Sequence, residues 1–185
     1  VSSLILLQQV LFQRPRVPVF VAGGIATGQM VAHLLLMGAA GCQMGTRFVM
    51  SEECRVHPLF KETFRKARAR EAVQTPALDR RRLPVVAVRA LNNKGMEEFA
   101  ALQLGLLDQL ERGELSREEA QLKVEGFWMG SLRRAVQDGD MERGSLMAGQ
   151  SVGLVDEIKP MKAIFEEILT DAERELERTR GLFAD

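Results

Sequence analysis

Two short glycine segments are the residues best suited to chemistry in this 185-residue sequence. Val19-Phe20-Val21-Ala22-Gly23-Gly24-Ile25 and Gly41-Cys42-Gln43-Met44-Gly45-Thr46-Arg47-Phe48 each read as a short buried strand that ends in small residues. The backbone N–H groups of such a strand-to-helix turn lie at the positive end of the helix dipole, where a phosphate dianion fits without any lysine. Gly23 and Gly24 permit close approach, because a Cβ at either position would collide with phosphate oxygens. Gly45 and Thr46 add a second set of N–H donors and a hydroxyl. A Gly-Gly pair by itself is only a turn, and the second segment one helix later favours phosphate binding.

The elements that must position these turns follow from the pattern around them. Residues 17–22 form a β-branched apolar run, as expected of a strand buried on both faces. Thr27 can cap a helix carrying Met30, Val31, Leu34, Leu35 and Met37, which stops at Gly38. A second strand covers 41–44. This rhythm with short loops argues for parallel strands joined by a crossover helix. In (β/α)8 barrels the loops after the last two strands form a phosphate site. A complete barrel needs about 250 residues. The expected fold is therefore α/β: an incomplete TIM (β/α)8 barrel comprising the last two strand–helix units, with a mainly helical insert and a C-terminal helix.

The remaining elements divide the chain into residues 1–83, a partial barrel with the phosphate-binding loops, 84–144, a helical substrate-side insert, and 145–185, a return segment with the closing helix. Ser3 is expected to cap a first helix over 3–13, ended by Pro15. Further helices are expected over 58–70, 126–136 and 159–181. Residues 83–91 read as extended and Asn92-Asn93-Lys94-Gly95 as a turn. Ser116-Arg117-Glu118-Glu119 has the form of a capping box. The chain opens at Val1, inside a helical pattern, and reads as the interior of a domain: a fragment or a truncated product.

Composition narrows the function classes. Apolar content of 46% and charged content of 27% suit a soluble globular protein. Lys+Arg and Asp+Glu balance at 25 each, which gives no field to attract nucleic acid or an acidic membrane. No apolar run approaches the roughly 20 residues of a membrane span. Cys42 and Cys54 make no disulfide framework, so a reducing, cytoplasmic setting is expected. No Cys/His spacing suits zinc, and no metal is expected. His33 on the crossover helix reads as a packing or surface residue, and Cys42 as core. Cys54 reads as exposed and inert, and Arg80-Arg81-Arg82 as a solvated turn. Met129, Met141, Met147 and Phe127-Trp128 are core by default, with the substrate side as the alternative.

Residues 18–25 and 38–48, the loop Val56-His57-Pro58, and Gly144-Ser145-Leu146-Met147-Ala148-Gly149-Gln150-Ser151-Val152-Gly153-Leu154 together resemble the nitronate monooxygenase (2-nitropropane dioxygenase) family. That family shares a superfamily with the flavin-dependent enoyl-ACP reductases. The Gly-Gly-Ile and Gly-Thr pair alone is shared with other phosphate-binding barrels, including inosine monophosphate dehydrogenase. The segment 147–151 makes the narrower assignment. The resemblance implies an FMN-binding TIM barrel, an oxidoreductase that oxidises alkyl nitronates or nitroalkanes with O2, or alternatively an enoyl-ACP reductase. It implies cofactor binding by Gly23, Gly24, Gln43, Met44, Gly45, Thr46, Gly149 and Gln150. The family's general base is a histidine in a Gly-Gly-His loop, within an N-terminal part that this sequence does not include, so no catalytic residue is assigned here. His57 resembles a loop histidine of the family and is expected to be structural or at the pocket rim. The partners implied are a small-molecule substrate and either a second copy of the chain or the missing N-terminal half. Two parallel strands cannot close a barrel, so their apolar surface needs cover. A catalytically inactive remnant or oligomerising module is the competing account.

Overall fold

The computed structural model describes residues 1–182. Its α/β chain forms two compact units, Val1–Arg55 with Ser151–Asp185, and Val56–Gln150.

In the first unit, helix α1 (Ser3–Phe12) is followed by strand β1 (Phe20–Ala22), helix α2 (Gly28–Leu36), strand β2 (Gly41–Gln43), the single turn α3 (Thr46–Val49) and the long helix α7 (Met161–Gly181). The cap of α1 is Ser2, not Ser3: the Ser2 Oγ accepts from Ile5 N at 3.5 Å. Ser3 donates instead to the Gly23 carbonyl at 3.3 Å and so anchors α1 to the first glycine turn. β1 and β2 pair in parallel with Phe20 opposite Gly41 and Ala22 opposite Gln43. β1 is shorter than the expected 17–22, because β2 offers a ladder partner only from Phe20 onward. Thr27 caps α2 as expected, its Oγ1 accepting from Met30 N at 3.3 Å.

The apolar face of α2 meets β1 and α1 in a core of Leu7, Val21, Ile25, Leu34 and Ala39. Burying side chains of this kind is worth about 1.5–3 kcal/mol each. On its other side α2 lies against α7, and the approach is closest at Gly28. A Cβ there would sit 2.6 Å from Asp171 Cβ and 2.7 Å from Ala172 N, and would also strike the Ile168 carbonyl. α7 begins at Met161, two residues later than expected, because Pro160 precedes its first turn. The Glu53 carboxylate accepts from Met161 N at 2.8 and 3.0 Å and takes the place of a capping side chain.

In the second unit, α4 (Pro58–Lys66) leads through a 3-10 turn at Ala69–Glu71 to strand β3 (Ala72–Gln74), which pairs antiparallel with strand β4 (Arg89–Leu91). Met147 bridges to Ala90 on the other edge of β4. α4 is shorter than the expected 58–70, since Ala67 turns extended at φ −71, ψ 145. The extended segment 83–91 pairs as a strand only over its last three residues. Before them Leu83 and Val85 are buried in a core with Phe99, Leu106, Leu107, Ala120 and Val124. The expected turn at 92–95 is the start of α5 (Lys94–Glu111), capped by Asn93, whose side chain accepts from Met96 N. α6 (Arg117–Arg133) carries the expected capping box of Ser116 and Glu119 and runs unbroken through Gly126. The separate helix over 126–136 is thus the end of α6 and a π-helical turn, Arg134–Asp138, closed by Gly139 at φ 72. Gln103 is fully buried and satisfied: its Oε1 accepts from Leu78 N at 3.2 Å, and its Nε2 donates to Pro76 O at 2.9 Å.

The α2–α7 contact generates two predictions. Gly28→Ala should destabilise by about 1–3 kcal/mol through overpacking, more than the roughly 1 kcal/mol alanine gains in helix propensity; chemical denaturation measures this, and unchanged stability would contradict the close approach. The Arg178 guanidinium, with His33 beside it, holds the Glu175 carboxyl at about 2, below its ordinary 4.5. A folded-state value below the unfolded one means that this stabilisation is present above about pH 4.5 and is lost as pH falls towards 2. Glu175→Gln should therefore flatten the acid limb of the stability–pH curve in that window, as acid titration of the unfolding free energy would show.

Candidate functional site

The parallel register carries the chain off β1 and β2 at the same end of the sheet, because Ala22 faces Gln43 across the ladder. The Gly23-Gly24 turn and the Met44-Gly45-Thr46 turn therefore leave the sheet side by side. Gly23 (φ 94) and Gly24 (φ 77) hold left-handed backbone that other residues adopt only at a cost. Gly45 is different. Its φ of −101 suits any residue, and a Cβ there would meet nothing within 4 Å. By contrast, a Cβ at Gly41 would lie 2.5 Å from the Phe20 ring. Neither conformation nor packing within the protein requires glycine at 45. The space over Gly23 and Gly24 is likewise open.

The sequence-predicted residues divide between the two units. Gly23, Gly24, Gln43, Met44, Gly45 and Thr46 all belong to the first, with Gln43 exposed and Thr46 half-buried as the first residue of α3. The Met44 side chain is half-buried against the core. Gly149 and Gln150 belong to the second unit. Gly149 follows Ala148, whose N–H donates to the Arg89 carbonyl at 3.2 Å, and Gln150 opens a 3-10 turn, Gln150–Leu154.

Both histidines have structural partners. His33 Nε2 lies 2.7 Å from Glu175 Oε1 on α7. His57 caps α4, its Nδ1 accepting from Leu59 N at 3.2 Å, while its own N–H donates to Val136 O at 2.8 Å. A Cβ on Gly139 would stand 2.5 Å from the His57 ring, so that ring fills the space the left-handed glycine leaves. Burial pushes the Cys42 thiol up. Cys54 is half-buried rather than exposed, because its N–H is drawn to Ser51 Oγ at 3.2 Å. Arg82 pairs with Asp79 at 2.7 Å in an exposed turn. Among the described residues no group of three or more His, Cys, Asp or Glu could hold a metal, and no helix is long and apolar enough to cross a membrane.

One cluster was not foreseen. Arg47, the residue after Thr46, is 4% exposed, and its Nη2 meets Glu167 Oε1 of α7 at 2.9 Å. Lys159 Nζ meets Glu167 Oε2 and Glu157 Oε2, each at 2.8 Å. Lys159 above all, with Arg47, holds the Glu167 carboxyl below its ordinary 4.5, against the opposing effect of burial. The signal available in the sequence was an arginine heading the apolar run Phe48-Val49-Met50, where a charge needs a partner.

The second unit holds a small cavity beneath Phe99, Phe127 and Trp128, whose rings stack or tilt against one another at 5.3–5.5 Å. Thus Phe127 and Trp128 do line a cavity. Met129 and Met147 are exposed, and Met141 borders a separate open cleft with Thr63 and Asn92. Ser145 also lines the aromatic cavity, and its buried hydroxyl has no hydrogen-bond partner among the described residues.

A model of the nitronate monooxygenase family matches residues 2–171. The chain is 28% identical over 186 residues to the (3aS,4S,5R,7aS)-5-hydroxy-7a-methyl-1-oxo-octahydro-1H-indene-4-carboxyl-CoA dehydrogenase of Mycobacterium tuberculosis, covering 90% of this chain and 52% of that protein. It is 28% identical over 136 residues to a probable nitronate monooxygenase of Staphylococcus aureus strain JH9, covering 73% of this chain and 33% of that one. Among solved structures, FabK from Thermotoga maritima superposes with a TM-score of 0.77 at 38% identity, over 98% of this chain and 52% of that one. The nitroalkane oxidase of Streptomyces ansochromogenes gives a TM-score of 0.68 at 23% identity, over 97% of this chain and 46% of that one, which is a likeness of fold. The chain spans about half the length, or less, of these relatives.

The orphan hydroxyl generates a prediction. A buried unsatisfied polar group costs about 1–3 kcal/mol, so Ser145→Ala should leave the unfolding free energy unchanged or raise it by about 1 kcal/mol in denaturant titration. A loss of similar size would show that the hydroxyl has a partner, such as a bridging water.

Proposed function

We propose, since the chain belongs to the nitronate monooxygenase family, that it serves an FMN-dependent oxidoreductase that oxidises alkyl nitronates or nitroalkanes with O2. The observation that carries this reading is the pair of open glycine turns leaving neighbouring parallel strands at one end. We read these strands as the last two of a (β/α)8 barrel, where such turns hold a phosphate.

The residues fit a phosphate-bearing cofactor. The N–H groups of Gly23, Gly24, Gly45 and Thr46 and the Thr46 hydroxyl would hold the phosphate, aided by the dipole of α2. The backbone of Gln43 and Met44 would border it. FMN, when bound, accepts an electron pair from the substrate and passes it on, which is chemistry no side chain supplies. The protein's part is to bind, orient and shield. No base is assigned, because His33 and His57 already serve Glu175 and the start of α4.

The 38% identity with FabK, against 28% with the Staphylococcus protein, favours a second reading, the flavin-dependent enoyl-ACP reductase. The phosphate residues are the same in both, so the substrate separates them. O2 consumption with a nitronate supports the first reading, and oxidation of a reduced nicotinamide by an enoyl thioester supports the second.

The phosphate claim is tested by titrating the full chain with FMN and with riboflavin, which lacks the phosphate, following flavin fluorescence. FMN should bind at least ten-fold more tightly, about 1.4 kcal/mol. Gly45→Val should abolish that preference with little change in the unfolding midpoint, because the position has room for the side chain. Equal affinities in the parent chain would overturn the phosphate assignment.

A further inference from the structure

We propose that Glu167 of α7 is a positioning residue for the second glycine turn: by holding Arg47 it fixes α3, and with it the N–H groups of residues 45–47. This rests on the phosphate reading above for its consequence, but not for its geometry.

α3 is one turn of four residues and is too short to hold its own place by helix cooperativity. What holds it lies on α7 and the strand-like stretch before it. Arg47 pairs with Glu167 at 2.9 Å, with the guanidinium almost wholly buried. The Phe48 ring packs on Phe165 at 5.2 Å. Ser51 bridges in parallel to Lys159: Lys159 N donates to Met50 O at 3.3 Å, and Glu52 N donates to Lys159 O at 2.9 Å. Three residues beyond Met161 begins the face that carries Ile164, Ile168 and Ala172 into the core. The same face closes on Gly28, in the first turn of α2. α7 therefore sets the place of both helices that follow the glycine turns, α2 through backbone packing and α3 through one ion pair and one ring contact.

The ion pair is the part of this arrangement that a substitution can release selectively. A buried arginine that loses its carboxylate is penalised, and among the described residues no other carboxylate pairs with Arg47. It then swings towards water and carries the backbone of 46–48 with it. Lys159 keeps Glu157 at 2.8 Å, so removing Glu167 leaves only Arg47 without a partner.

The test uses the full chain and reads two quantities. Amide hydrogen exchange, without any ligand, reports the order of residues 45–50 against β1 and α2. The ratio of FMN to riboflavin affinity reports the phosphate grip. Glu167→Ala should speed exchange at 45–50 by at least ten-fold, leave β1 within two-fold, and cut the FMN preference about ten-fold while riboflavin binding stays within two-fold. Should that variant fold poorly, Arg47→Met with Glu167→Met removes both charges and keeps the apolar volume. It should retain the parent's unfolding midpoint, and because the directional bond to α7 is gone it should still exchange faster at 45–50 and prefer FMN less than the parent chain does. Unchanged exchange at 45–50 in a folded variant overturns the positioning role. Faster exchange with an intact FMN preference overturns its link to phosphate. A parent chain that binds neither flavin defeats the cofactor reading, while the exchange data still decide whether Glu167 places the turn.

Discussion

The first unit depends on how closely α7 can lie on α2, and one hydrogen atom in place of a methyl group at Gly28 decides it. With a Cβ there the Ile168 carbonyl and the Asp171 side chain would have to move, and α7 would stand off. That approach brings Ile164, Ile168 and Ala172 into the interior and lets Glu175 reach His33. The edges of a two-stranded parallel sheet are poor supports by themselves. The glycine turns are therefore held from behind by helices rather than by the sheet. Ser3 bonds the Gly23 carbonyl from α1, and Glu167 reaches Arg47 from α7.

The second unit is held by a different device, in which backbone passes close to backbone or ring at small residues. Gly95 faces the Arg143 carbonyl, Gly144 faces Asp140 and Ala135, and Gly139 faces the His57 ring. Asn93 joins these passages, its Nδ2 donating to Met141 O at 3.0 Å and Gly144 O at 2.8 Å while its Oδ1 caps α5. Gln103 does similar work for the loop after β3. Side-chain amides bonded in this way specify one arrangement because each has these partners in only that arrangement. Ser145, whose hydroxyl has none among the described residues, is the exception beside the aromatic cavity.

What was legible in the sequence was local. Thr27 and Ser116 act through N–H groups three residues away, and the strands before each glycine turn are marked by apolar runs with abrupt small-residue ends. Ser2 caps α1 in place of the expected Ser3, because Ser3 binds the Gly23 carbonyl, a partner twenty residues away that only the fold brings near. β3 was missed because Ala72-Val73-Gln74 has no strand signal of its own and is fixed by β4. α6 was cut at Gly126 because glycine disfavours helix, yet burial of Ala120, Val124 and Ser131 on one face outweighs that penalty of about 1 kcal/mol. The candidate site was visible in its glycines and invisible in its supports, since Arg47 and Glu167 are brought together only by the fold.

The charge balance at the glycine turns carries the last step. The nearest cation in sequence, Arg47, is committed to a carboxylate that also holds Lys159. Within this stretch of chain, a phosphate bound at these turns would therefore be met by N–H dipoles and not by Arg47. Such a grip favours a group of fixed shape over a mere concentration of negative charge, because each N–H donates along one line. It also places the burden of precision on the backbone. A lysine could follow a displaced phosphate, whereas an N–H in a one-turn helix moves only if the helix does. For a site of this design, the ion pair behind the turn matters as much as the glycines in it.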